Sequence, residues 1–116
     1  MAKTLRRWLL LGITLVGLLG GLVYAPIAAA ESPDSAALFE LHCAGCHPNG
    51  SNIIRRGKSL QPKALRRHGV DSVEAIAALI TQGKGLMSAY GDRLTPEEIQ
   101  ALADYVWQRS QVHWHT

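Results

Sequence analysis

At 116 residues the chain has room for one small domain. Its formal charge is +3, yet Lys3, Arg6 and Arg7 precede an apolar stretch, and without them nine basic residues face nine acidic ones. That balance excludes nucleic acid as a partner implied by charge.

The first element is an address. A short basic region leads into the apolar run from Trp8 to Ala30, Pro26 interrupts it, and Ala28-Ala29-Ala30 offers the small residues that a signal peptidase cuts after. The reading is a signal peptide over residues 1–30, leaving 86 residues, Glu31 to Thr116, as one domain. The competing reading is an uncleaved anchor, because the run is long enough to span a membrane. Twin-arginine export through Arg6-Arg7 is disfavoured. A mature chain this short has a marginal core, and such chains lean on a disulfide, a metal or a cofactor.

Next comes a helix opened by Ser32-Pro33, a cap followed by proline, which runs to His42 and sets Ala36, Phe39 and Cys43 on one face. It ends in Cys43-Ala44-Gly45-Cys46-His47. This C-x-x-C-H spacing marks covalent haem attachment: two thiols add across the porphyrin vinyl groups, and the adjacent imidazole meets the iron. A redox dithiol needs a βαβ setting that the sequence lacks. Structural zinc needs two further ligands. A disulfide across two residues leaves His47 unexplained.

A loop from Pro48 to Ser59 follows, rich in turn residues, and then a short helix from Pro62 to Gly69. Asp71-Ser72 caps a third helix with Val73, Ile76, Ala77 and Ile80 at helical spacing. Beyond it lies a glycine-rich loop, Gly83 to Gly91, holding Met87, the only methionine after residue 1. Glycines let a backbone pass close to a flat cofactor. A thioether opposite histidine raises the iron potential and completes its coordination, so Met87 is the expected sixth ligand. His42 sits on a turn that does not easily reach the opposite face. His68 stands at a helix end, where a cation complements the dipole. His113 and His115 are expected in a solvated tail. Thr95-Pro96-Glu97-Glu98 is a capping box that opens the last helix, with Ile99, Leu102, Ala103 and Val106 in a single stripe. No strand alternation appears, so the fold class is all-α.

Taken together, Phe39, the C-A-G-C-H motif, Asn52-Ile53-Ile54, Gly83-Lys84-Gly85-Leu86-Met87, Ala89-Tyr90-Gly91-Asp92-Arg93-Leu94 and Ala103-Asp104-Tyr105-Val106 resemble cytochrome c6. That family comprises class I c-type cytochromes of the cyanobacterial and algal thylakoid lumen and periplasm. The resemblance covers nearly all of the mature chain. It implies a class I cytochrome c domain over 31–116, about four helices wrapped around one haem c, with Phe39 meeting Tyr105 where the first and last helices cross. It also implies a soluble, monomeric one-electron carrier, not an enzyme, shuttling between membrane complexes: a cytochrome b6f-type donor, and photosystem I or a terminal oxidase as acceptor. Asn52 and Lys58 match positions near the haem propionates, and Arg93 matches an arginine that docks photosystem I.

Three departures stand out: Leu79 where photosynthetic members have glutamine, Ser88 where proline follows the methionine, and Ser35 where a glycine lies at the helix crossing. Leu79 resembles the lower-potential branches of the family. The rival function is a haem enzyme or gas sensor, which requires an open sixth position that Met87 argues against. A third reading is a haem subunit tethered by the first segment within a larger complex. The cations Arg55, Arg56, Lys58, Lys63, Arg66 and Arg67 cluster ahead of acidic Asp92, Glu97, Glu98 and Asp104. They form either ordinary solvated faces or a steering surface for an acidic partner.

Overall fold

Helix boundaries follow the side chains that cap them. The computed structural model describes residues 33–115, so the predicted signal peptide, residues 1–30, lies outside the described part. Helix α1 spans Ser35–His42, and its cap is Asp34, whose carboxylate accepts a hydrogen bond from the Ala37 N–H at 3.1 Å. This corrects the start expected at Ser32-Pro33: an aspartate nearer the helix satisfies its free N–H groups. Ala36 falls in the first turn and is exposed, so the inward face consists of Phe39 with the partly buried Leu38 and Cys43.

Helix α2 spans Pro62–Arg67, with proline at its first turn, and stops before Gly69 at φ 66°. Helix α3 spans Val73–Gln82 and is capped by Ser72, whose hydroxyl accepts from Ala75 N–H at 3.1 Å. Helix α4 spans Pro96–Gln111. Its predicted capping box is present in full: Thr95 Oγ1 accepts from Glu98 N–H at 3.2 Å, and the Glu98 carboxylate accepts from Thr95 N–H at 2.8 Å. Such a cap contributes about 1 kcal/mol. Among the described residues there is no strand, only an isolated bridge between Lys84 and Met87.

The core forms where α4 packs against both α1 and α3. Ile99, Leu102, Ala103 and Val106 are all buried, as their spacing predicts, and Ile76 and Ile80 meet them from α3. Phe39 and Tyr105 touch at the α1–α4 crossing, with ring centroids 5.4 Å apart and planes tilted by 46°. Removing a ring as buried as that of Phe39 costs roughly 3–5 kcal/mol, a large share of a small domain's stability.

The tail beyond α4 is not solvated throughout. His113 and His115 are exposed, but Trp114 between them is only 8 % exposed. Its indole N–H donates to the Leu60 carbonyl at 3.1 Å, and its ring lies 5.0 Å from that of Phe39. A pattern of polar neighbours predicts an open tail, but one large aromatic has enough apolar area to reverse that outcome.

Candidate functional site

The C-terminal end of α1 runs directly into the cysteine motif. Backbone N–H groups of Cys43 and Ala44 both donate to the Phe39 carbonyl, and those of Cys46 and His47 donate to the Cys43 carbonyl. The motif is therefore a helical turn continued past the cap, a shape that sets two thiols and an imidazole at fixed offsets. Both cysteines are free thiols, Cys43 partly buried and Cys46 exposed. No group of three His, Cys, Asp or Glu side chains converges as a metal cage among the described residues.

A crevice opens beside this turn as two adjoining lobes that share Cys43, His47, Asn52, Lys58, Lys84 and Met87. The inner lobe, a cavity of about 180 Å³, lies against the apolar walls of Phe39, Leu65, Ile76, Leu79, Ile80 and Val106. A mostly apolar lining with a few polar groups at its edge is the usual character of a small-molecule site. The outer lobe opens past Cys46, Ile54, Leu86, Ser88 and Tyr90. The sequence-predicted residues Cys43, Cys46, His47, Asn52, Lys58 and Met87 thus line one continuous cleft.

His47 is held in one orientation and one tautomer. A carbonyl only accepts, so the 2.9 Å contact between His47 Nδ1 and the Ser51 oxygen places the ring proton on Nδ1. Nε2 is left with a free lone pair. Burial also lowers the pKa of His47, against the hydrogen bond to Ser51, which raises it. Burial pushes the Cys43 thiol up to about 11, with the charge of Cys46 adding to the effect.

Met87 is placed by a turn that folds on itself. Lys84 and Met87 exchange backbone hydrogen bonds of 3.0 and 3.1 Å around Gly85-Leu86, and Gly85 takes φ 60°. Gly83 has φ 67°, and a Cβ there would lie 2.6 Å from Ala89 N and Met87 O. Glycine is needed at position 83 because the loop there packs against its own backbone. Tyr90 ties the loop to α1, since its hydroxyl donates to the His42 carbonyl at 2.9 Å.

Asn52 and Lys58 do line the crevice, but the Asn52 amide is largely engaged within its own loop. Its oxygen accepts from Ile54 N–H at 3.0 Å and Arg55 N–H at 2.7 Å, while Nδ2 donates to the Lys58 carbonyl at 3.0 Å. Lys58 is exposed at the rim. His68 also lines the inner lobe, its Nε2 3.0 Å from the Gly57 carbonyl, a role that its place at a helix end did not suggest. Leu79 faces the same lobe.

Residues 30–106 match the family described as cytochrome C oxidase, cbb3-type, subunit III. A cytochrome c6-like protein of Nostoc sp. (strain PCC 7120) is 53 % identical over 89 residues, covering 77 % of this chain and 80 % of that one. Cytochrome c6 of Microcystis aeruginosa is 42 % identical over 81 residues, 70 % of this chain and 100 % of that one. Among solved structures, cytochrome c6C from Synechococcus sp. PCC 7002 superposes with a TM-score of 0.65 at 63 % identity, over 67 % of this chain and 95 % of that one. Cytochrome c6B from Synechococcus sp. WH8102 does so with a TM-score of 0.67 at 49 % identity, over 71 % and 93 %.

The chain belongs to the cytochrome c6 family. It has the class I cytochrome c fold, binds one haem c covalently and carries electrons. The residues present fit that cofactor in a cytochrome c6 chain: two free thiols at the crevice edge, an imidazole with its Nε2 lone pair free, a thioether, and apolar walls.

Proposed function

We propose that haem c is held by thioethers from Cys43 and Cys46, with His47 and Met87 as axial iron ligands and Asn52 and Lys58 beside the propionates. The observation that carries this reading is their convergence on one apolar crevice. When bound, the haem supplies one reversible electron at its iron. The chain's own residues do the rest. The Ser51 carbonyl orients His47, the turn from Lys84 to Met87 sets the thioether, and Phe39, Ile76, Ile80 and Val106 exclude water. A filled coordination sphere leaves the protein a carrier without substrate chemistry, and so not an enzyme.

The mature form is proposed to be residues 31–116, exported to a periplasm or thylakoid lumen, soluble and monomeric. One intact-mass measurement on the purified protein tests attachment and processing together. The expected mass is that of a chain beginning at Glu31 plus one haem retained after denaturation. Haem extracted by acid acetone contradicts the thioethers. A full-length chain recovered only from membranes contradicts cleavage.

Docking is proposed at the crevice mouth. Ile54 and Leu86 line it and are 51 and 70 % exposed, apolar side chains that water alone does not favour. Beside them Arg55 and Lys58 line the rim, and from Leu41 to Val70 the sequence carries six Lys and Arg and no acidic residue. That segregation steers an acidic surface toward the mouth. The proposed partners are membrane electron-transfer complexes, a cytochrome b6f-type donor and photosystem I or a terminal oxidase. Leu86→Asp is expected to slow the second-order reaction with the true acceptor about tenfold. The reduction potential should barely change. Stopped-flow kinetics against both acceptors checks this, and an unaffected rate with either one rules out this face for that partner.

A further inference from the structure

We propose that Trp114 is a positioning residue for His47, so that the last turn of the chain holds the axial imidazole in register; this rests on His47 being the iron ligand. The indole presses on the segment that orients the histidine. Gly50 has φ 72°, and a Cβ at that position would lie 2.3 Å from two indole carbons and 2.4 Å from a third. The ring therefore occupies the space that any side chain at position 50 would need. Ser51, the next residue, supplies the carbonyl that accepts from His47 Nδ1. The same indole fixes the far end of the loop through its N–H bond to the Leu60 carbonyl, and Leu60 N–H in turn donates to the Gly50 carbonyl at 2.8 Å.

The tail is held too firmly to be a frayed end. His113 and Trp114 both adopt left-handed backbone conformations, φ 52° and 62°, which side chains with a Cβ adopt only when their surroundings impose it. The constraint is visible. An Arg109 guanidinium N–H donates to the Trp114 carbonyl at 3.0 Å, and its carbon lies 5.7 Å from the indole centroid. Trp114 N–H donates to the Arg109 carbonyl at 2.8 Å. Phe39 and Tyr105 close the other side, their centroids 5.0 and 6.1 Å from that of Trp114. Partners that orient a histidine ligand through its second ring nitrogen set its basicity and its orientation. Here the partner is a backbone carbonyl, and an aromatic 63 positions further along the chain keeps it in place.

The test is proton NMR of the ferrous haem protein, following solvent exchange of the His47 Nδ1 proton. Trp114→Ala should speed that exchange by at least ~10-fold, the scale on which second-shell partners of metal ligands act. Trp114→Phe keeps a ring on Gly50 but loses the bond to Leu60, and should give an intermediate acceleration; it carries the test if the alanine variant does not fold. Ile99→Ala, a core truncation on α4 away from the crevice, controls for general loosening. Equal acceleration in the control, or none in the Trp114 variants, overturns the positioning role while leaving His47 ligation intact. Absence of any His47 ring proton shifted upfield by the haem ring current in the wild type rejects the ligation itself, and the positioning role with it.

Discussion

Met87→Ala is expected to turn a closed haem into an open one. The methionine stands on a tight turn pinned by the Lys84–Met87 bond pair, and among the crevice-lining residues it alone carries a thioether. The ferric wild type should show the weak sulfur-to-iron charge-transfer band in the near infrared, and the variant should lose it. Cyanide should then bind the ferric form and carbon monoxide the ferrous form. The potential should fall by on the order of 100 mV or more, since a thioether opposite histidine favours the reduced iron. The turn itself should survive, because its hydrogen bonds are all backbone. An unchanged near-infrared spectrum in the variant eliminates Met87 as a ligand.

Leu79→Gln is expected to raise the reduction potential. Leu79 is half-buried on α3 and lines the inner lobe, so a glutamine there brings an amide to the apolar wall at nearly constant volume. Local polarity and hydrogen bonding near the iron are among the means by which a protein sets haem potential. The shift should be tens of millivolts upward, on the order of 1 kcal/mol at one electron. The wild type should accordingly lie below the photosynthetic donors of its family, which weakens its match to photosystem I. Spectroelectrochemical titration of both proteins checks this. A shift near zero, or downward, assigns Leu79 to packing alone.

Much of this architecture was legible because it is written in local signals. The capping box at Thr95, the serine at position 72 and the stripe from Ile99 to Val106 each act within a few residues, and each forms as its spacing predicts. The cysteine motif is equally local. What was hidden depends on contacts between distant segments. Trp114 bonds to Leu60 and displaces any side chain at Gly50, and nothing in a short polar tail points to either. The one available signal was the tryptophan itself, too apolar to favour water. His68 was hidden similarly, because its bond to Gly57 spans a loop whose shape its neighbours do not dictate. Asn52 was visible as a crevice residue, whereas its amide's engagement with the loop backbone appears only once that loop is folded.

The carrier reading and its rival part at the sixth coordination position, which a single optical experiment interrogates. The ferrous wild-type protein, exposed to carbon monoxide at neutral pH, should keep its low-spin spectrum unchanged because Met87 occupies the iron. A prompt shift of the main haem band on adding the gas would show an open site, and would contradict a closed electron carrier in favour of a gas sensor or haem enzyme.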